Sequence, residues 1–250
     1  MVGGDNRRSG FAPRPPVPQN LLAFDTSTEL LSVAVAWRDA GGARVLERQG
    51  QGGRESSAAL IPTAMELLQS AGLKLSRLDA VVFGQGPGSF TGLRTACAVA
   101  QGLAWGASLP VVPVETLLAV AEEARERCGA RRVLALLDAR MDEVYSAFYE
   151  FDGARWHRLG PMALGRPDGL VLPADAVLAG NVFEAYGERL PAGAERIEAL
   201  PSASALLRLA PALIAAGAAI PASEALPVYV RDKVAQTTQE RLAAKAPTSP

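Results

Sequence analysis

The sequence predicts an α/β protein built from two successive halves, each in the order β-β-β-α-β-α. Three observations carry this reading. Each half opens with short apolar runs separated by turn residues, the pattern of paired strands. Longer segments with helical periodicity follow them. The same order of elements then returns in the second half, although no sequence identity joins the two.

In the first half, Leu21 to Phe24 is a short apolar strand that runs into the polar turn Asp25-Thr26-Ser27-Thr28. Leu31 to Trp37 is the second strand. Arg44 to Gln49 is the third, after the turn at Gly41-Gly42. Ser57 to Ala71 reads as a helix ended by Gly72. Ala80 to Phe83 is a strand, then comes the glycine-rich stretch GQGPGSFTGLR, Gly84 to Arg94, and then a helix from Thr91 to Ala107. Val111 to Val114 is a further short strand.

The second half repeats that order more weakly. A helix from Glu115 to Cys128 leads to strands at Val133 to Asp138, Glu143 to Phe151 and Arg155 to Leu164. A short helical turn is expected near Pro167 to Leu170. Ala176 to Leu178 is a strand ending at Gly180-Asn181, and Val182 to Leu190 a helix. Ser202 to Ala216 is the last helix, with Ser202 as its N-cap and Pro211 as a kink.

Strand hairpins first and crossover helices after, twice over, is the pattern of the actin-like (RNase H-like) ATPase folds, sugar kinases and heat-shock chaperones included. The expected organisation is a disordered N-terminal tail at 1–20, an N-terminal subdomain at 21–114, a C-terminal subdomain at 115–234 and a C-terminal tail at 235–250.

Composition narrows the function. The 25 basic and 26 acidic residues leave a net charge of −1, which gives no electrostatic footprint for a free-standing nucleic-acid binder. No apolar run reaches the roughly 18 residues that span a membrane. The polar, Gly-, Arg- and Pro-rich start lacks the apolar segment of a secretory signal. Cys97 and Cys128 lie far apart and form no CxxC, so reduced thiols in a cytoplasmic protein are expected.

Two segments carry chemistry. In the turn after the first strand, Asp25 is placed to orient a hydrated cation, and Ser27 or Thr28 to hydrogen-bond a phosphate. The alternative is an ordinary Asx or Ser/Thr turn. In the glycine stretch, Gly84, Gly86 and Gly88 permit positive φ or close backbone approach, and Ser89 and Thr91 are good helix caps. Gly86, Gly88 and Ser89 are therefore candidate anion-binding residues at a helix N-terminus. No lysine follows, which excludes a P-loop, and the third glycine falls too early for a dinucleotide fingerprint. The alternative is a rigid strand-to-helix connector.

The helices carry a third signal. The helix at 91–107 is apolar almost all round, and Ala96, Ala100 and Ala104 form a small-residue stripe beside Leu103. Leu60, Ala64 and Leu68 give the helix at 57–71 a similarly broad apolar face. Burial in a two-layer core is one reading. Contact with another protein is the other, favoured because a helix on a sheet should keep a polar outer face.

The single histidine, His157, cannot form a two-histidine metal pair. The carboxylates of Asp138, Asp142 and Glu143 lie in a strand–turn–strand and read as a charged hairpin turn, paired-carboxylate catalysis being the alternative.

These segments together identify a family. LLAFDTSTELLSVAV, VVFGQGPGSFTGLRTACAVAQGLAWG, LALLDARMDEVY and PVYVRDKVA closely resemble the bacterial TsaB (YeaZ) proteins, in the right order from residue 21 to 234. The resemblance implies an actin-like fold and a role in making threonylcarbamoyladenosine in tRNA. It implies a non-catalytic relative of the TsaD-type subunit, which holds a metal with a histidine pair and transfers the threonylcarbamoyl group. It further implies pairing with TsaD through the first two long helices, a TsaE-type ATPase in the assembly, contact with tRNA only through the complex, and homodimers through the same surface. No cofactor is expected to bind tightly, with ATP or ADP at a partner interface as the one candidate. Many relatives carry a histidine before the first helix, where this chain reads Gly53-Arg54-Glu55-Ser56-Ser57.

Two other functions compete. An independent actin-like ATPase or small-molecule kinase is motivated by the Asp25 turn and the glycine stretch. A metallopeptidase is disfavoured by the single histidine and the absence of HExxH.

Overall fold

The computed structural model describes residues 20–231. The expected tails, apart from Asn20, lie outside the described residues, as does PVYVRDKVA beyond Arg231. Asn20 is not part of a free tail. Its backbone N–H donates to the Asp79 carboxylate and its side-chain amide to the Arg77 carbonyl.

The first half forms β1 (Leu21–Asp25), β2 (Leu30–Asp39), β3 (Gly42–Gln51), α1 (Ser56–Ser70), β4 (Ala80–Gly86), α2 (Phe90–Gly106) and β5 (Pro110–Glu115). β2 runs antiparallel to β1 and β3, whereas β4 runs parallel to both β1 and β5. The order across the sheet is therefore β3-β2-β1-β4-β5.

α3 (Thr116–Cys128) leads into the second half, which comprises β6 (Arg132–Arg140), β7 (Glu143–Phe151), β8 (Trp156–Arg158), β9 (Ala163–Gly165), β10 (Val177–Gly180), α4 (Phe183–Tyr186), β11 (Arg196–Glu198) and α5 (Ala203–Ala215). Its sheet runs β8-β7-β6-β10-β11, with antiparallel pairs first and parallel pairs after. The two halves thus share one strand order, and the chain has the duplicated actin-like fold.

The core has three parts. α1 and α2 cover the outer face of the first sheet, with Phe24, Phe83, Leu60 and Leu68 buried between. α3 and α5 lie between the sheets, so one continuous core joins Ala23 and Val82 to Leu137 and Tyr149. Leu136, Val144 and Leu178 meet Tyr186 and Leu190 on the far side of the second sheet.

Two expectations are corrected here, and two strands and a set of cross-boundary contacts are added. The strand expected at Arg155 to Leu164 is two, β8 and β9, because Gly160 takes φ +95° and Pro161 has no N–H to continue the ladder. The helix expected at Val182 to Leu190 keeps one α turn and passes into a 3₁₀ turn at Gly187–Arg189. β11 and β12 (Ile220–Pro221) are too short to show periodicity and exist only because a neighbour pairs with them. Contacts also cross the expected subdomain boundary between residues 114 and 115. β12 pairs with β5 in the first sheet, and the Ala203 N–H at the start of α5 donates to Ser32 on β2.

Ser202 caps α5, accepting from the Ala205 N–H at 2.9 Å, as expected. Cys97 is buried, Cys128 is exposed, and both are free thiols.

Candidate functional site

The glycine stretch lies against the Asp25 turn, and three glycines at four-residue spacing make that approach. A β-carbon on Gly84 would meet the Asp25 carboxylate, one on Gly88 the Ser27 carbonyl, and one on Gly92 the Thr26 carbonyl. Thr26 Oγ1 donates back to the Gly92 carbonyl at 2.7 Å, and the Ser89 N–H to the Ser27 carbonyl at 2.7 Å. Ser89 is the N-cap of α2, its hydroxyl facing the Gly92 N–H.

This packing uses the groups expected to meet a phosphate. Asp25 is fully buried. Its Oδ1 accepts from both the N–H and the hydroxyl of Ser27, while its Oδ2 has no partner. Burial pushes its pKa up to about 6 against the pull of those two bonds. A carboxylate sealed in this way cannot orient a hydrated cation. The Gly86 N–H donates to Thr116 Oγ1, and Thr28 Oγ1 accepts from the Leu30 N–H. Of the residues expected to form an anion site, Asp25 and Gly86 are held inside a turn-on-turn junction, while Ser27, Thr28, Gly88 and Ser89 also line the cleft beside it.

A cleft of about 420 Å³ opens between the two sheets beyond this junction. One wall is Ser27, Thr28, Pro87, Gly88, Ser89 and Phe90; the other is Asp138 to Met141 with Tyr145 and Asn181. Glu29 and Asp138 line the cleft with carboxylates and Arg140 and Arg231 with guanidiniums, and Val228 to Arg231 form part of its wall.

The carboxylates of the β6–β7 hairpin are each engaged separately, as a charged turn requires. Asp138 accepts from the Arg140 N–H and from the Tyr186 hydroxyl at 2.9 Å. Asp142 pairs with Arg189 and Arg166. Hydrogen bonding from Arg189 holds its carboxyl below the ordinary range. Glu143 pairs with Arg231 at 2.7 Å. His157 stands beside Asp152 at 2.7 Å on β8. Among the described residues, no three His, Cys, Asp or Glu side chains come together as a metal site. No helix among them is long and apolar enough to cross a membrane.

The helices α1 and α2 show where the expected partner residues stand. Leu60, Ala64, Leu68, Ala96, Ala100 and Ala104 are buried against the protein's own sheet, and Leu103 is half-buried. Another protein cannot touch the first six in the folded state. The outward faces carry different apolar residues: Ile61 (44% exposed) and Met65 (46%) on α1, and Trp105 (73%) on α2. Ala98 and Gly102 lie exposed along the same helix as Trp105. When both sides of a helix are apolar, periodicity does not say which side the sheet takes. On α2 the alanines at 96, 100 and 104 face the sheet, while Ala98, Gly102 and Trp105 face outward.

The comparisons with known proteins agree with this architecture. The family profile described as TsaD, tRNA N6-adenosine threonylcarbamoyltransferase, matches residues 48–239. The tRNA threonylcarbamoyladenosine biosynthesis protein TsaB of Escherichia coli is 36% identical over 225 residues, covering 86% of this chain and 96% of that one. The Haemophilus influenzae protein of the same name is 38% identical over 230 residues, covering 86% and 94%. The solved structure of YeaZ from Pseudomonas aeruginosa superposes with a TM-score of 0.77 at 41% identity, covering 84% of this chain and 99% of that one.

Proposed function

This chain belongs to the TsaB (YeaZ) family and takes part in tRNA threonylcarbamoyladenosine biosynthesis; from that premise we propose that it is the non-catalytic subunit that pairs with a TsaD-type transferase. The observation that carries this reading is the outer face of α1 and α2, where Ile61, Met65 and Trp105 stand in water. A single-chain enzyme gains nothing from exposing these side chains, whereas a homologous subunit with a matching helix pair can cover them.

The catalytic groups then belong to the partner. This chain has one histidine, which stands beside Asp152, and the Asp25 carboxylate at the glycine junction is buried. Any ATP or ADP in the assembly would be held by groups that another subunit supplies, a TsaE-type ATPase included. With a net charge of −1, contact with tRNA would come through the complex. The same apolar face would support a homodimer when the transferase is absent.

Mixing the purified chain with its cognate TsaD-type protein tests the reading, with affinity measured by calorimetry. Binding that Met65→Asp weakens by about tenfold or more supports it. Undiminished binding by that variant, or tight MgATP binding with turnover by the isolated chain, overturns it.

A further inference from the structure

The segment after the last strand runs back along α2 and then leaves it for the other lobe. At its start, the Ala225 carbonyl accepts from Cys97 Sγ at 3.4 Å and from Gln101 Nε2 at 2.9 Å. One turn further along, the Val228 N–H donates to the Gln85 carbonyl at 2.7 Å. The Val228 carbonyl occupies the space a β-carbon at Gly86 would need. Tyr229 lies on Phe90 with ring centroids 5.0 Å apart. Arg94 covers the Phe90 ring at 3.8 Å and donates to the Tyr229 hydroxyl at 3.1 Å. All these anchors are in the first lobe.

Two residues later every anchor is in the second. The Arg231 guanidinium pairs with Glu143 at 2.7 Å and donates to the Ala139 carbonyl at 3.0 Å. Its side chain is only 14% exposed, so loss of Glu143 would leave a charge largely out of water. The turn it grips is unusual. Arg140, Met141 and Asp142 all take positive φ, at 60°, 56° and 64°. Three successive non-glycine residues in the left-handed region cost roughly 1–2 kcal/mol each. Such a turn persists only where its surroundings over-determine it.

We propose that Val228 to Arg231 form a clasp that locks the two lobes across the cleft and couples the β6–β7 turn to the first turn of α2. Only Val230 separates the Tyr229 anchor from the Arg231 anchor, so the link has no slack: one residue spans about 3.5 Å. Movement of one lobe must either carry the other or break an anchor. Gly86 and Phe90 therefore serve the clasp. If the outer face of α2 binds the transferase, as proposed above, the clasp also sets the angle at which the second lobe is presented to it.

Hydrogen exchange of the full chain tests the clasp without any partner, so its outcome is separate from that of the pairing test. The hydrogen bonds and the ion pair of Arg231 all reach residues 139–143. In Arg231→Ala, exchange is expected to rise about tenfold both at residues 139–144 and at the distant residues 85–94. Charge exchange in Arg231→Glu/Glu143→Arg is expected to restore protection at both in part, since a carboxylate at 231 re-forms the ion pair but cannot donate to the Ala139 carbonyl. Tyr229→Ala, which leaves the Arg231 pair in place, is expected to loosen the hairpin from the opposite end. Faster exchange confined to residues 226–231 would overturn the proposal, as would protection at 85–94 that none of these variants moves.

Discussion

Gly84 lies directly beneath Asp25, so that a β-carbon at residue 84 would fall on the Asp25 carboxylate. The relationship explains why the strand before the glycine stretch ends in glycine. It also explains why the acidic turn of an actin-like fold is closed in this chain. The glycine supplies the space into which the carboxylate is buried.

The first prediction concerns that contact. Gly84→Ala is expected to lower stability by about 3 kcal/mol or more, since the clash is with a fully buried group that cannot swing away. Gly102→Ala, in the interior of α2 with open space around it, is expected to raise stability by about 0.5–1 kcal/mol. Chemical denaturation of the two variants checks both signs.

The Asp25 carboxyl sets a pH dependence. Its folded pKa, about 6, lies above the ordinary 3.8. Below pH 4 both states are protonated and the group costs nothing. As pH rises through 6 the folded state must hold a buried charge, a penalty of about 3 kcal/mol. Asp25→Asn is therefore expected to be more stable than the parent at pH 8 and no more stable at pH 4. A less stable variant at pH 8 would sink this account.

Glu122 behaves in the opposite sense. It is buried between α3 and α5, where it accepts from Arg125 twice, Arg208 and Trp156. Burial alone would raise its pKa, but those four donors outweigh it and hold it below 4.5. Its stabilisation is present above pH 4.5 and is lost as pH falls through the lower folded value. Glu122→Ala is expected to cost about 3 kcal/mol at neutral pH, because Arg125 loses its carboxylate. Urea midpoints at pH 7 and pH 4 should differ less in the variant than in the parent.

The partner face separates two arginine substitutions. Trp105→Arg is expected to leave the melting temperature within a few degrees of the parent and to weaken transferase binding about tenfold. Ala100→Arg is expected to unfold the chain, because residue 100 has no access to solvent. Thermal melts followed by pull-down distinguish a lost interface from a lost fold.

Much of the fold was legible because its signals are local. The apolar runs at Leu21, Leu31 and Ala80 became β1, β2 and β4, and Ser202 became the cap it looks like. β11 and β12 were not legible, since strands of two or three residues form only when a neighbour pairs with them. The candidate site was legible as a place but not as a chemistry. The Asp25 turn and the glycine stretch do meet, yet which groups face water and which face each other depends on contacts far apart in sequence.

By itself the sequence determined the duplicated order of elements, the family and the absence of a histidine pair, all of which follow from residue identity and short-range periodicity. Only the tertiary structure decided the orientation of the helices and the fate of the cleft. Hydrophobic periodicity is silent about direction when a helix is apolar on both sides, so the burial of Ala100 and the exposure of Trp105 had to come from packing. The tie across the cleft rests on Arg231 reaching Glu143, a pair 88 residues apart that no local pattern encodes.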